Sequence, residues 1–373
     1  MKLLFVVTED WYFLSHRLPI AEAAQRAGYD VAVATRVTAH GHEILQRGFS
    51  LIPLHHFKGE SLSLWNEPRV IAELRRIYLK ERPDIIHHIA LKAVIHGSIA
   101  GLGLNVQTIN AIAGLGFMES SWSPKPAILR FCASKLLRFL LTRPNSLTLL
   151  QNFDDRNFVI KYFKVPIENT KVIMESGVNM DVFRPSPEPF GTPIVMLPSC
   201  LLWNKGVAEF VAAAESLKAS GVQARFVLAG DTDEFSPSAI PRSRLAEWND
   251  SGSVEWWGKM DNMQGVLPQA SIICLPSYRE GLPKVLIEAA ACGRPIVTTD
   301  VPGCRDVVQH YVNGMLVPAR DSEVLALSIL VLLRNRNLRE RMGEAGRNIA
   351  ARFSQDVVCE KILDLYVAHC LGK

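Results

Sequence analysis

Apolar residues in this chain come in short runs, not in long stripes. In the first half they fall at 3–7, 31–35, 51–54, 85–89, 106–109, 147–150 and 172–174. In the second half they fall at 194–197, 226–229, 254–257, 272–275, 296–298 and 315–317. Between them lie stretches of helical period, for example 17–27, 69–80 and 92–99. Short runs without polar alternation suit strands buried on both faces, and the helices between them supply crossovers. The pattern predicts an α/β protein of two doubly wound parallel-sheet domains of similar size. Prolines 185, 187 and 189 lie in 181–189 and read as an extended, semi-rigid linker. The expected domains are therefore 1–184 and 185–373. No internal repeat or low-complexity segment is evident.

The 373 residues favour two domains over one, and 48% hydrophobic with 21% charged residues is ordinary for a globular chain. A net charge of +4 without a Lys/Arg block gives no reason to expect nucleic acid. Seven cysteines, at 132, 200, 274, 292, 304, 359 and 370, form no CxxC pair and read as reduced thiols of a cytoplasmic protein. The opening apolar run ends at Glu9 and Asp10, so it reads as a first strand, not a signal peptide. No apolar run reaches the roughly 18 residues of a membrane span; the longest candidate is 324–333. The first strand-to-helix connection has Glu9 to Arg17 where a dinucleotide fold carries GxGxxG, which argues against a nicotinamide or flavin dehydrogenase.

Candidate chemistry concentrates in 277–291. The strand 272–276 leads into Ser277-Tyr278-Arg279-Glu280-Gly281-Leu282-Pro283-Lys284, and a helix follows to Ala291, ended near Gly293. Gly281 permits backbone shapes closed to other residues, and Pro283 suits a first helical turn. The unpaired N–H groups there form an anion site. Glu280 stands just before this helix and Glu288 inside it. Carboxylates on both sides of an anion site suit a ligand with phosphate in its middle and hydroxyls at its ends, such as a nucleotide sugar. Taken alone, the same pair also reads as a loop acid and a helix-surface acid in water.

EGLPKVLIE resembles the E-x7-E motif of family 4 retaining glycosyltransferases, with Glu280 and Glu288 as its acids. The likeness runs through AAACGRPIVTTDVPGCRDVV to Asn313-Gly314, includes Lys205-Gly206 upstream, and extends to Gly177-Val178-Asn179 ahead of Phe183. It implies the GT-B architecture: two Rossmann-like domains, an acceptor domain first and a nucleotide-sugar domain second, with a last helix at about 355–370 that commonly crosses back. It implies that Glu280 contacts donor-sugar hydroxyls and that Glu288 takes the ribose. N–H groups around Gly281, Leu282, Pro283 and Lys284 would hold the diphosphate, with Lys205 supplying a positive charge. Trp256-Trp257-Gly258-Lys259-Met260 is similar to the base-holding loop, with Gly258 and Met260 approaching through backbone. One departure stands out. Many members carry an arginine five residues before the lysine, and here that position is Cys200. A thiol cannot replace a bidentate guanidinium. Either Arg17 or Arg279 compensates or activity is impaired.

The first half is quieter. His16 and Arg17 follow the first strand, where the cleft of two such domains is expected; there His16 reads as a catalytic residue facing the acceptor or the diphosphate and Arg17 as an aid to the leaving group, and a plain helix start explains both equally. His87 and His88 end the fourth strand and alternate in face, and no nearby acid suggests a metal pair. Asn110 occupies a place near which some members have histidine, so it is kept as a substrate-binding candidate without that role. The loop after it, with Gly114 and Gly116, reads as an acceptor loop. Residues 124–143 form a basic amphipathic helix, suited either to an anionic membrane face or to core contact with a solvated basic side. Asp231-Thr232-Asp233 is the nearest thing to a metal motif and resembles a family loop instead. The resemblance implies transfer of a hexose or N-acetylhexosamine from a UDP-sugar to a glycan, with retention and without metal or cofactor, on polyprenyl-diphosphate acceptors in surface polysaccharide or glycan synthesis at the cytoplasmic side of the membrane. A GT-B sugar-nucleotide epimerase and an impaired binding protein remain as alternatives.

Overall fold

The computed structural model describes residues 1–57, 67–112, 127–234 and 236–370, with the side chains of 127–132 outside the description. The chain forms two compact units, Met1–Glu175 with Gln355–Lys373, and Ser176–Ser354. Among the described residues the first holds seven parallel strands in the order β3-β2-β1-β4-β5-β6-β7. These are β1 (Lys2–Glu9), β2 (Asp30–Arg36), β3 (Ser50–Pro53), β4 (Ile85–Ile89), β5 (Gln107–Ile112), β6 (Ser146–Leu150) and β7 (Thr170–Val172). The second holds six, in the order β10-β9-β8-β11-β12-β13, also all parallel. These are β8 (Ile194–Pro198), β9 (Arg225–Ala229), β10 (Glu255–Gly258), β11 (Ile272–Leu275), β12 (Ile296–Thr299) and β13 (Gly314–Val317). The two doubly wound sheets predicted from the apolar runs are present.

Each sheet reverses its order once, between β1 and β4 in the first and between β8 and β11 in the second. Connections leave such a point in opposite directions and open a crevice outside the carboxyl ends of the strands. The strands beside it are the most buried: Leu3, Leu4, Phe5, Val6 and Val7 of β1 have no exposed surface. Burying one such side chain contributes roughly 1.5–3 kcal/mol, so the register of these central strands is firmly set.

The helix Gln355–Cys370 belongs to the first unit, not to the sheet that precedes it in sequence. Val358, Ile362, Leu365 and Tyr366 join the core built from Leu3, Phe5, Ile20 and Val33. The Tyr366 hydroxyl lies 2.8 Å from His87 Nδ1 of β4. The division between units falls at Glu175 and Ser176, ahead of the proline segment read as a linker. That segment is bonded along the second unit. Arg347 donates to the Met180 and Phe183 carbonyls, Arg294 to Ser186 and Pro187, and Arg339 pairs with Glu188 at 2.8 Å. Alternate prolines keep the strap extended, and arginines consume the carbonyls that strand pairing would otherwise use.

Candidate functional site

In the second unit the sheet reversal brings the loop after β8 beside the loop after β11. The contact is built on a glycine. Gly206 has φ 74°, and a Cβ there would stand 2.1 Å from the Pro276 carbonyl oxygen. Only glycine lets the turn Trp203–Lys205 lie this close to the end of β11. Tyr278 N–H donates to the Asn204 carbonyl at 2.9 Å and fixes the two loops together. Lys205 Nζ then meets Glu280 Oε1 at 2.6 Å, across 75 residues of sequence. The Ser277 hydroxyl donates to the same Oε1, also at 2.6 Å. Burial opposes the charge of Lys205, but Glu280 prevails and holds the lysine pKa above its ordinary value.

Three further groups fix the loop. The Thr299 hydroxyl of β12 donates to the Ser277 carbonyl. Glu280 N–H donates to Pro302 at 3.2 Å, and Ser176 donates to the Leu282 carbonyl at 3.3 Å. Gly303 has φ 81°, and a Cβ there would meet the carbonyl oxygens of Glu280 and Gly281 at 2.7 Å. Beside it Cys304 is fully buried, and burial pushes its thiol pKa up to about 12, so it is a neutral part of the wall. Ser277, Thr299 and Gly303 carry no signal of their own in the sequence; only the fold shows what they support.

The helix Lys284–Ala291 follows, with Pro283 (φ −72°, ψ 102°) as its N-cap and not within its first turn. The Pro283 side chain makes no capping bond, and Leu286 N–H donates to the Pro283 carbonyl at 3.0 Å. Its other end is closed by Arg294 N–H to Ala289 and Gly293 N–H to Ala290, with Gly293 at φ 69°. Leu286, Ile287 and Ala289 to Ala291 are buried. Glu288 sits one turn after Lys284, its carboxylate 3.5 Å from the ammonium. Burial raises the Glu288 pKa while Lys284 works against the rise.

The remaining predicted residues are scattered. Gly258 ends β10 with φ 73°, and Met260 beyond it is half-buried. Trp256 and Trp257 are both half-buried; Trp256 donates to the Gly230 carbonyl at 2.9 Å and Trp257 to Glu255. Cys200 is exposed, as a free thiol. Asp231 pairs with Arg242 at 2.6 Å. Among the described residues no group of three His, Cys, Asp or Glu side chains is arranged to hold a metal.

In the first unit His16 ends the helix Asp10–His16, half-buried, with its ring stacked on Tyr12 at 4.3 Å and Nδ1 2.6 Å from the Ser15 hydroxyl. Arg17 has its guanidinium fully buried and paired with Glu175 of the same unit at 3.0 Å, so its charge is already offset there. Arg279, the other compensating cation considered, is half-buried, and burial lowers its pKa. Asn110 departs from its expected role. It is fully buried; its Oδ1 accepts from His88 Nδ1 and Ser98, and its Nδ2 donates to Ser146. That fixes the His88 proton on Nδ1 and leaves Nε2 to accept from Tyr78. His87 and His88 do lie on opposite faces, toward Tyr366 and Tyr78, and neither reaches the surface. The loop with Gly114 and Gly116 lies outside the described residues, as do 124–126 of the basic helix. Its described part, Ala127–Leu141, exposes Lys135, Leu136, Arg138 and Phe139 and buries Leu137, Leu140 and Leu141.

Known proteins match both units. A "Glycosyl transferase 4-like" family model matches residues 2–151 and a "Glycosyl transferases group 1" model matches 181–349. The chain is 25% identical over 95% of its length, and 97% of the relative's, to the N,N'-diacetylbacillosaminyl-diphospho-undecaprenol alpha-1,3-N-acetylgalactosaminyltransferase of Campylobacter jejuni. Its structure resembles sucrose-phosphate synthase of Thermosynechococcus elongatus, with TM-score 0.85 at 19% identity over the full length of both chains. It also resembles HepE of Anabaena in complex with UDP and glucose, with TM-score 0.80 at 18% identity over 99% of this chain and 100% of that one. With one family match over each unit, and the fold that these solved structures share, the chain belongs to the group 1 and 4-like glycosyltransferases of GT-B fold.

Proposed function

We propose that this glycosyltransferase moves a hexose or N-acetylhexosamine from a UDP-sugar to a polyprenyl-diphosphate-linked glycan, with retention of configuration, in surface polysaccharide or glycan synthesis. The observation that carries the donor reading is the Lys205–Glu280 pair at the β8/β11 reversal, ahead of the N-terminus of the helix Lys284–Ala291. A diphosphate placed before this helix meets aligned N–H dipoles and the Lys205 ammonium, which stabilise charge as the nucleotide departs. Lys205 and Ser277 both address Oε1 of Glu280, so Oε2 is the oxygen a donor-sugar hydroxyl would meet. Glu288, one turn deeper in the helix, would accept both ribose hydroxyls, and Gly258 with Met260 would line the base. The departing diphosphate is then the base nearest the acceptor hydroxyl on the same face, so no metal is needed. His16 is assigned to the acceptor side of the reaction.

The acceptor reading is supported by the name of the Campylobacter jejuni relative, a transferase for an undecaprenyl-diphosphate-linked sugar. Lys135 and Arg138 beside Leu136 and Phe139, the last 58% exposed, suit a peripheral contact with an anionic cytoplasmic membrane face. Among the described residues no helix is long and apolar enough to cross a membrane. The relatives do not favour an epimerase or a binding protein. The test is transfer of radiolabelled sugar from a panel of UDP-sugars to lipid-linked acceptor, by the native protein and by Glu280→Ala. Loss of at least about a hundredfold in the variant is expected; unchanged transfer would overturn the assignment.

A further inference from the structure

Tyr278 stands two residues before Glu280 in the loop after β11, and its side chain takes no part in the donor contacts assigned above. Its hydroxyl donates to Glu209 Oε1 at 2.7 Å, across 69 residues of sequence. Glu209 lies in the first turn of the helix Val207–Ala219, which begins directly after Gly206. A glutamate at this third helical position ordinarily reaches back to the N–H of the cap residue. Here the Gly206 N–H is already taken by the Trp203 carbonyl at 3.1 Å, and the carboxylate crosses to the neighbouring loop instead. The hydroxyl thus adds a second tie to the one that the Tyr278 N–H makes with the Asn204 carbonyl. Both ties end on residues that flank Lys205, one directly before it and one four residues after.

A third contact comes from the connection after β13. The Arg320 guanidinium stands 4.7 Å from the Tyr278 ring centroid, in the turn ahead of the helix Ser322–Arg334. Arg320 has φ 64°, a left-handed backbone that a long side chain takes only where its surroundings impose it. Burial and the Glu209 carboxylate push the Tyr278 pKa up to about 12, so the hydroxyl keeps its proton and remains the donor. This bond does not complete the polar needs of the fold. Glu209 Oε2 is buried and has no hydrogen-bond partner among the described residues. A carboxylate satisfied at only one oxygen costs stability, and such costs are met where a neighbouring group has to be held in place. Only Arg279 separates Tyr278 from Glu280, so a shift of the tyrosine carries Glu280 with it.

We propose that Tyr278, held by Glu209, is a positioning residue for sugar transfer: it fixes the loop so that Glu280 meets Lys205 with one carboxylate oxygen and the donor sugar with the other. The inference rests on the reading of Glu280 as the donor-sugar contact. The nucleotide is addressed in that reading by Lys205, the start of the helix Lys284–Ala291 and Glu288, so loss of the Tyr278–Glu209 bond falls on the sugar and leaves UDP alone.

The test pairs initial rates of transfer to the lipid-linked acceptor with titration of UDP by calorimetry, which also reports that each variant is folded. Tyr278→Phe is expected to lower kcat about tenfold, with UDP affinity within threefold of native. Glu209→Ala gives the same loss, and Glu209→Gln, which keeps an acceptor oxygen, restores most of the rate. Because the two residues share one bond, Tyr278→Phe combined with Glu209→Ala loses no more than either alone. A purely structural bond would move the urea midpoint and leave kcat at native level. Native kcat in Tyr278→Phe, a Glu209→Gln variant as slow as Glu209→Ala, multiplied losses in the double variant, or a fall in UDP affinity as large as that in kcat would each overturn the inference while leaving the transferase reading intact. Unchanged transfer in Glu280→Ala, or no transfer by the native protein, would overturn the reading beneath it, and this inference with it.

Discussion

The contact between Gly206 and Pro276 allows a test that separates site geometry from backbone strain. Alanine at 206 faces two penalties. The left-handed backbone (φ 74°) costs an alanine about 1–2 kcal/mol. The added Cβ would also lie 2.1 Å from the Pro276 oxygen, more than about 1 Å inside an ordinary carbon–oxygen contact. Relief requires the Trp203–Lys205 turn to move outward by about that distance, carrying Lys205 away from Glu280. Displacements of this size cost about a hundredfold in rate where a group must be positioned. Gly221 is the control: its φ is 78°, but a Cβ at that position would meet nothing within 4 Å. Gly206→Ala is therefore expected to lose roughly 2–4 kcal/mol of stability and about a hundredfold in kcat/KM. Gly221→Ala is expected to lose about 1 kcal/mol with native kinetics. Initial rates at varied UDP-sugar, with urea denaturation alongside, measure both. Equal kinetics in the two variants, or Gly206→Ala within threefold of native kcat/KM, would refute the positioning role.

Other outcomes follow from the same geometry. Glu288→Gln should raise the donor KM about tenfold with little change in kcat, since ribose contacts act equally on ground and transition states; a selective fall in kcat would contradict the ribose assignment. His88 is buried with its pKa lowered to about 4, against an ordinary value near 6.5, so its neutral form stabilises the fold at neutral pH. Protons favour the unfolded chain as pH falls through that window, and the loss at pH 5 is about 2 kcal/mol. Urea midpoints at pH 7 and pH 5 should show it, with a shallower pH dependence in His88→Gln; identical slopes would exclude His88 as the source. Phe139→Glu should weaken co-sedimentation with anionic vesicles without lowering the thermal midpoint, because that ring is exposed; undiminished binding would remove this helix face from the membrane contact.

The strands were legible where burial on both faces forces an unbroken aliphatic run: 85–89 and 272–275 agree with β4 and β11 to the residue. The loop 277–283 and the helix after it were legible because a strand, a glycine and a proline in close succession have few other ways to fold. What the sequence hid is tertiary. Arg17 beside His16 looked like a second cation of the site, but its partner Glu175 lies 158 residues away. Asn110 ends an apolar strand, and nothing local shows that His88 and Ser146 enclose it. The bonding along 180–188 was also hidden, because the three arginines that hold Met180, Phe183, Ser186, Pro187 and Glu188 come from distant helices and loops.

The return of Gln355–Cys370 to the first unit also bears on how the protein is made. On the ribosome the first unit emerges early but lacks Val358, Ile362, Leu365 and Tyr366, which share a core with Ile20 and Val33. The second unit, continuous in sequence, has all its strands before that helix is synthesised. The half that is translated second is thus the first able to complete its core, and the first must wait, in need of protection, for the last sixteen-residue helix.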